Sequence, residues 1–296
     1  MKIAIYGREF QSAVIQYVQE LFDLLEQNGV EIWVYHNFNA FIQDKIRAKQ
    51  PTYSFSAYQE LPEDIHFMLS LGGDGTMLAA VSILADSGIP ITGINFGRLG
   101  FLASINKDKI KEALVELLAG RYDIERRVLL ASYKENDHGL KEEKLSFALN
   151  DMTIIKKDSS AMITVHAYVN DELLNAYWAD GLIIATPTGS TAYSLSCGGP
   201  IVMPGSGNFI ITPISPHNLN VRPIVLADNS RLRIEVESRS DSFLFSCDST
   251  TETVNTGMVI HIQRADFTVN LIRLKHESFF STIRHKLLWG LDTRNY

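Results

Sequence analysis

The sequence predicts an α/β N-terminal domain with a parallel sheet, followed by a β-rich C-terminal domain of two-layer, β-sandwich-like build. Two observations carry this. The first third alternates short apolar runs with amphipathic helical patterns, as a parallel sheet covered by helices requires. After about Tyr122 the texture changes to closely spaced segments rich in Ile, Val and Thr, which reads as a series of short strands. The expected division is 1–121 for the α/β domain, joined by a C-terminal helix over 276–296, and 122–275 for the β-rich domain.

Each element has a local reason. "KIAIYG" is a short buried strand. From Gln11 to Asn28, residues Val14, Ile15, Val18, Leu21, Phe22 and Leu25 share one helical face, and Gly29 supplies the stop. "EIWVY" is a second strand, and a helix is expected over 39–50. "IHFMLSL" is a third strand, followed by a glycine-rich turn and a helix over 76–87. "PITGIN" is a fourth strand, and "INKDKIKEALVELLAG" is a capped, amphipathic helix. Beyond Tyr122, "FALNDMTIIKK", "AMITVHAYVN", "GLIIATP", "RLRIEVE", "DSFLFSC", "MVIHIQR" and "FTVNLIRL" read as separate strands. The polar stretch 135–144 is expected to form an exposed hairpin turn, and "ESFFSTIRHKLLWG" a final helix that returns to the first domain.

The chain has 296 residues, 46% of them hydrophobic, and a net charge of −7. The length allows one large domain or two ordinary ones. The acidic balance argues against nonspecific nucleic-acid binding, which calls for a basic surface. Cys197 and Cys247 lack any CxxC spacing, so two free thiols in a reducing cytoplasm are expected rather than a zinc site. No apolar run reaches the ~18 residues of a membrane span, and the N-terminal run is too short for a signal peptide.

Four stretches invite chemistry. In Gly72-Gly73-Asp74-Gly75, glycines open the backbone to a ligand, and the helix that follows points free N–H groups at a phosphate. The carboxylate suits a cation or a hydroxyl that must lose its proton, hence phosphoryl transfer. A glycine-rich βα turn would read the same way. Neither a P-loop nor an ordinary dinucleotide fingerprint is present. In "DGLIIATPTGSTAYSLSCGGPIV", hydroxyls and a glycine crowd one turn, suited to a polar ligand edge or to phosphates, or simply to a Ser/Thr-rich loop. Asn150 and Asp151 interrupt a strand pattern. Adjacent residues face opposite sides of a strand, so a bulge or strand end is expected there. An amide beside a carboxylate can read a base edge and a ribose diol; an exposed strand end fits equally. Asp248 in "FSCDSTTE" reads as a turn aspartate. His217, between prolines and near Arg222, stands out among the histidines without an acid or nucleophile at catalytic spacing.

Taken together, these stretches resemble the NAD kinase family. "GGDGTML", "GINFGRLGFL", "LNDMTI", "DGLIIATPTGSTAYSLSCGGPIV" and "TPISPHNLNVRPIV" occur in the family's order between Leu71 and Leu226. One GGDG match alone would say little, because diacylglycerol kinases and phosphofructokinases carry related loops; five ordered motifs are specific. The resemblance implies an NAD kinase-like fold and transfer of the γ-phosphate of ATP to the 2′-hydroxyl of the adenosine ribose of NAD. It implies Asp74 as catalytic base and ribose contact, and Gly72, Gly73 and Gly75 as the phosphate and ATP loop, with Gly75 also touching NAD. It implies that Asn150 and Asp151 bind the adenosine of NAD. Asp180, Thr188, Thr191, Ala192, Tyr193 and Ser196 match the NAD-binding segment, and Phe101 is expected to line the pocket. Asp151 stands where many members carry Glu, so its reach is shorter. The family also implies Mg²⁺ as cation, with no protein ligand assigned to it, and a cytoplasmic homodimer or homotetramer. Two other readings stand beside this one: a lipid or sugar kinase of the same superfamily, and a non-catalytic NAD-binding sensor.

Overall fold

The computed structural model describes residues 1–97, 100–135, 142–157, 161–275 and 278–289. It divides into two compact units, Met1–Arg126 with Val269–Tyr296, and Arg127–Thr268.

The first unit is built on parallel strands in the order β3-β2-β1-β4-β5. These are β1 (Lys2–Gly7), β2 (Glu31–Tyr35), β3 (Tyr53–Phe55), β4 (Ile65–Leu71) and β5 (Ile91–Asn95), and the two-residue β6 (Ile105–Asn106) pairs with β5. Helices α1 (Ile15–Gln27), α2 (His36–Ile42), α3 (Asp74–Leu84) and α4 (Ile110–Leu118) make the connections. Near-continuous apolar runs such as "IAIYG" and "FMLSL" are buried because helices cover the parallel sheet. Val18, Leu21, Phe22 and Leu25 of α1 join Ala113, Leu114 and Leu117 of α4 in one core over Ile3, Ile5, Phe67 and Leu69.

Three local expectations are corrected in this unit. The helix expected over 39–50 is α2, earlier and shorter, because Phe38 and Ile42 are the residues that reach the core. The three-residue β3 carries too few residues for a period-2 pattern and was not expected. The helix expected over 76–87 begins at Asp74 itself.

The second unit has two antiparallel layers. Its strands are β7 (Tyr122–Glu135, continuous across residue 126), β8 (Glu142–Ala148), β9 (Asp151–Lys156), β10 (Ile163–Val169), β11 (Glu172–Ala179) and β12 (Gly181–Ala185), then the short α5 (Tyr193–Ser196), followed by β13 (Asn208–Ile214), β14 (Ile224–Ala227), β15 (Leu232–Glu237), β16 (Ser242–Cys247) and β17 (Thr250–Asn255). One layer runs β14-β13-β12-β9-β16-β17. In the other, β10 lies between β11 and β15. Alternate residues of both layers, among them Met152, Ile154, Leu182, Ile184, Val165, Ala167, Ile234 and Val236, meet in one core.

The final strand, β18 (Ile260–Leu274), replaces the two strands expected from "MVIHIQR" and "FTVNLIRL". The intervening Ala265 and Asp266 are ladder residues, not a turn. Helix α6 (Phe279–Leu287) follows and belongs to the first unit, with Ile283 buried. The hairpin expected at 135–144 falls largely outside the described residues, although β7 and β8 do pair on either side of it.

Candidate active site

In the first unit, β4 ends at Leu71 and α3 begins three residues later. Each glycine of the turn has its own reason. Gly72 has φ +152, and a Cβ there would collide with the side chain of Thr76. Around Gly73 and Gly75, a Cβ would meet nothing within 4 Å. The fold therefore needs the first glycine, while the other two keep open the space in front of the helix. Asp74 and Gly75 are first-turn residues whose N–H groups have no acceptor within the helix, so this opening favours an anion.

The Asp74 side chain turns back to the segment after β5. Its Oδ2 accepts from the N–H of Phe101 at 2.7 Å, and its Oδ1 accepts from Leu102 at 3.1 Å and Ala103 at 3.0 Å. Among the described residues, these bonds use two acceptor sites of Oδ1 and one of Oδ2, so one site on Oδ2 remains. A half-buried carboxylate, held in place by three amides, keeps a single directed lone pair. Phe101, half-buried beside it, carries Lys286 of α6 over its ring at 4.7 Å.

In the second unit, β8 stops at Ala148 and β9 starts at Asp151, so the interruption expected at Asn150–Asp151 is a strand end. The Thr186–Gly189 turn is sewn to it. The Thr186 N–H donates to Asn150 O at 2.9 Å, and its hydroxyl donates to Leu149 O. A Cβ on Gly189 would strike the Asn150 carbonyl, so glycine is what lets the turn lie against the pair. Asp151 is 8% exposed. Burial, then the neighbouring Asp248 carboxylate, push its pKa up to about 6, against a smaller opposing pull from the Thr153 hydroxyl.

The remaining expected residues follow along the same loop. Thr188 is buried and its hydroxyl accepts from Arg127 at 3.4 Å. Thr191 donates to Thr188 O. Ala192 leads into α5, whose Tyr193 is 42% exposed and whose Ser196 is exposed. Burial raises the Tyr193 pKa, with smaller contributions from Cys197, Asp151 and Asp180. Asp180, just before β12, is ion-paired with Lys156 at 2.6 Å, a partner that the sequence did not suggest. Any ligand group bound by Asp180 shares it with that ammonium.

Two readings change. Asp248 is no ordinary turn residue: its half-buried carboxylate accepts from the N–H groups of Leu149, Asn150 and Asp151. Nothing local signals this, because the partners lie almost a hundred positions away. The His217 ring lies tilted against Trp178, centroids 4.1 Å apart, and its backbone N–H donates to Trp178 O. Arg222 binds the carbonyls of Leu219 and Val221. Cys197 and Cys247 are both free thiols.

Among the described residues, no group of three or more His, Cys, Asp or Glu is placed to hold a metal ion. Asp74 has one acceptor site left. The donor set among these residues therefore does not form a protein cage for Mg²⁺.

A parallel α/β unit with a glycine turn at a helix N-terminus, followed by an antiparallel unit with an amide-carboxylate pair at a strand end, has the make-up of a two-unit nucleotide-binding protein. The chain belongs to the ATP-NAD kinase family: residues 3–122 match the model of the ATP-NAD kinase N-terminal domain, and residues 149–274 that of the C-terminal domain. It is 42% identical over 295 residues to the NAD kinase of Flavobacterium psychrophilum, covering 100% of both chains. To the NAD kinase of Bacteroides fragilis it is 41% identical over 294 residues, 99% of this chain and 100% of that one. Its fold is similar to that of yeast NADH kinase complexed with NADH, with TM-score 0.86 and 24% identity over 99% of this chain and 89% of that one. An Archaeoglobus fulgidus NAD kinase in complex with ATP gives TM-score 0.73 and 24% identity, over 97% of this chain and 99% of that one.

Proposed function

We infer that the protein transfers the γ-phosphate of ATP to the 2′-hydroxyl of the adenosine ribose of NAD, releasing ADP and NADP. The observation that carries this reading is the full-length likeness to NAD kinases at 41–42% identity. The geometry of the loop agrees with it.

A ribose hydroxyl is a poor nucleophile until it sheds its proton. The remaining lone pair of Asp74 Oδ2 takes that proton as the ribose oxygen bonds to the γ-phosphorus and the bond to the ADP oxygen breaks. The amides of Phe101, Leu102 and Ala103 hold the carboxylate while it does so. The first-turn N–H groups at Asp74 and Gly75 receive phosphate oxygens, and the open faces of Gly73 and Gly75 admit them. Asn150 and Asp151 take the adenosine of NAD, supported by Asp180, Thr188, Thr191, Ala192, Tyr193 and Ser196, while Phe101 lines the pocket. Mg²⁺ carried by the nucleotide would neutralise phosphate charge in front of this loop, where Asp74 is the nearby carboxylate. The working form is a cytoplasmic homodimer or homotetramer; light scattering that gives a mass near 33.2 kDa, the single chain, contradicts this part of the reading.

Mixing purified protein with ATP, Mg²⁺ and NAD and measuring NADP tests the reaction. NAD binding without turnover would instead favour a sensor. Phosphorylation of a lipid or sugar with NAD ignored would favour the other kinase class.

A further inference from the structure

Asp248 lies outside the residues that take part in the phosphoryl transfer. It is the first residue of the two-residue loop joining β16 to β17, with φ 51. That left-handed conformation is where hairpins place glycine or a short polar residue. An aspartate here puts a carboxylate under the end of β8. Its Oδ2 accepts from Leu149 at 2.8 Å, and its Oδ1 accepts from Asn150 at 2.8 Å and from Asp151 at 3.2 Å. The Asp248 N–H donates back to Asp151 O at 3.0 Å. Leu149 and Asn150 lie between two strands, and buried N–H groups there need an acceptor. One half-buried carboxylate answers three consecutive donors, and so fixes the backbone from which the Asn150 and Asp151 side chains project.

We propose that Asp248 is a positioning residue for the dinucleotide: it touches no substrate, but sets the Asn150–Asp151 pair in the geometry that receives the adenosine of NAD. This rests on the NAD reading given above. The same contact has an electrostatic side. After burial, the Asp248 charge is the largest cause of the raised Asp151 pKa. The other groups around Asp151 are the Thr153 hydroxyl, which donates to it, and the Tyr193 phenol and Cys197 thiol, which feel its charge. In the β16–β17 hairpin, burial pushes the Cys247 thiol up to about 12, against the Ser146 and Ser132 hydroxyls and with smaller pushes from the Asp248 and Glu252 carboxylates.

The test is steady-state kinetics of the full chain from about pH 5 to pH 8, with thermal melting, for the wild type, Asn150→Ala, Asp248→Ala and Asp248→Asn. Asp248→Ala is expected to raise KM for NAD about tenfold while KM for ATP stays within about twofold. Asp248→Asn keeps one acceptor oxygen, folds if the alanine variant does not, and should raise KM for NAD less. It also removes the charge beside Asp151, so the acid limb of NAD binding should move to lower pH. A KM for NAD that stays at the wild-type value in both variants overturns the proposal, as does a pure fall in kcat accompanied only by lower melting. Equal rises in both KM values overturn it too. If the wild type makes no NADP, the functional reading falls and takes this proposal with it. If Asn150→Ala raises KM for NAD and the Asp248 variants do not, the proposal falls alone.

Discussion

Gly100 lies so close to Asp74 that a Cβ on it would overlap the carboxylate. The glycine clears the space in which the Asp74 oxygens collect the N–H groups of Phe101, Leu102 and Ala103. Gly100→Ala should therefore displace the carboxylate without altering its chemistry. A misplacement of about 1 Å can lower turnover about 10²-fold. Kinetics at saturating ATP and NAD, with circular dichroism to confirm folding, check this; turnover near wild type would show that the carboxylate needs no such support.

Asp74→Asn removes the base and leaves an acceptor oxygen for two of the amides. Its NH₂ group must then face one N–H, a local loss of about 1–3 kcal/mol of stability. Turnover should fall by about 10²–10⁴-fold, the usual worth of a general base. Near-normal turnover at saturating substrates would reduce the loop to phosphate binding alone.

Gly73 and Gly75 separate stability from binding. The fold leaves room for a methyl group at both positions. Gly75 is helical, so Gly75→Ala should stabilise the protein by about 0.5–1 kcal/mol. The same methyl group obstructs the phosphates, and KM for ATP should rise about tenfold. Gly73→Ala should raise KM for ATP with little change in melting. Unchanged ATP kinetics in both variants would move the phosphates elsewhere.

Among the described residues, the Asn150 side chain takes part in no hydrogen bond, while its backbone is held at both ends. Truncating it should spare the fold. Asn150→Ala should raise the dissociation constant for NAD about tenfold or more, through loss of ~1–3 kcal/mol of hydrogen bonding. Calorimetry checks it, and an unchanged constant removes Asn150 from the site.

Asp151 makes a pH prediction. Its pKa is about 6 in the folded chain, against about 3.9 unfolded. The native state holds the proton more tightly, so the contribution to stability is full below about pH 4 and is lost as pH rises through about 6. Ionised Asp151 disfavours the fold at pH 7 by about 3 kcal/mol. Asp151→Asn should raise the melting temperature at pH 7.5 and flatten its decline between about pH 4 and 6, while weakening NAD. A variant that melts lower at pH 7.5 would contradict the burial argument.

The glycine turn, the strand end at Asn150 and the hydroxyl-rich loop were legible in the sequence because each is a local break in a periodic pattern. Asp248 and Lys156 were not, since each acts through a partner far away in the sequence. Asp248 looked like any turn aspartate because its hairpin does need a turn there. Gly100 likewise gives no local hint that its missing side chain makes room for Asp74. The helix at 39–50 was misplaced because the polar run after Gln43 extends a plausible pattern past Ile42, where burial of the helix ends. A continuous 15-residue β18 was hidden by Asp266, which resembles turn chemistry.

The first unit takes its last strand from the end of the chain. Leu271 of β18 pairs with Ile91 of β5, and Ile272 and Leu274 enter the core of α1 and α4. During synthesis, β5 therefore waits for its neighbour until all of Arg127–Thr268 has left the ribosome, at about 5–20 residues per second. For that interval only the two-residue β6 covers part of this edge, at Ile94 and Asn95, and the open remainder is a template for association with other chains. The second unit is continuous in sequence and meets no such delay. Folding order on the ribosome is thus reversed with respect to the sequence: the unit encoded in the middle is free to finish before the unit encoded first.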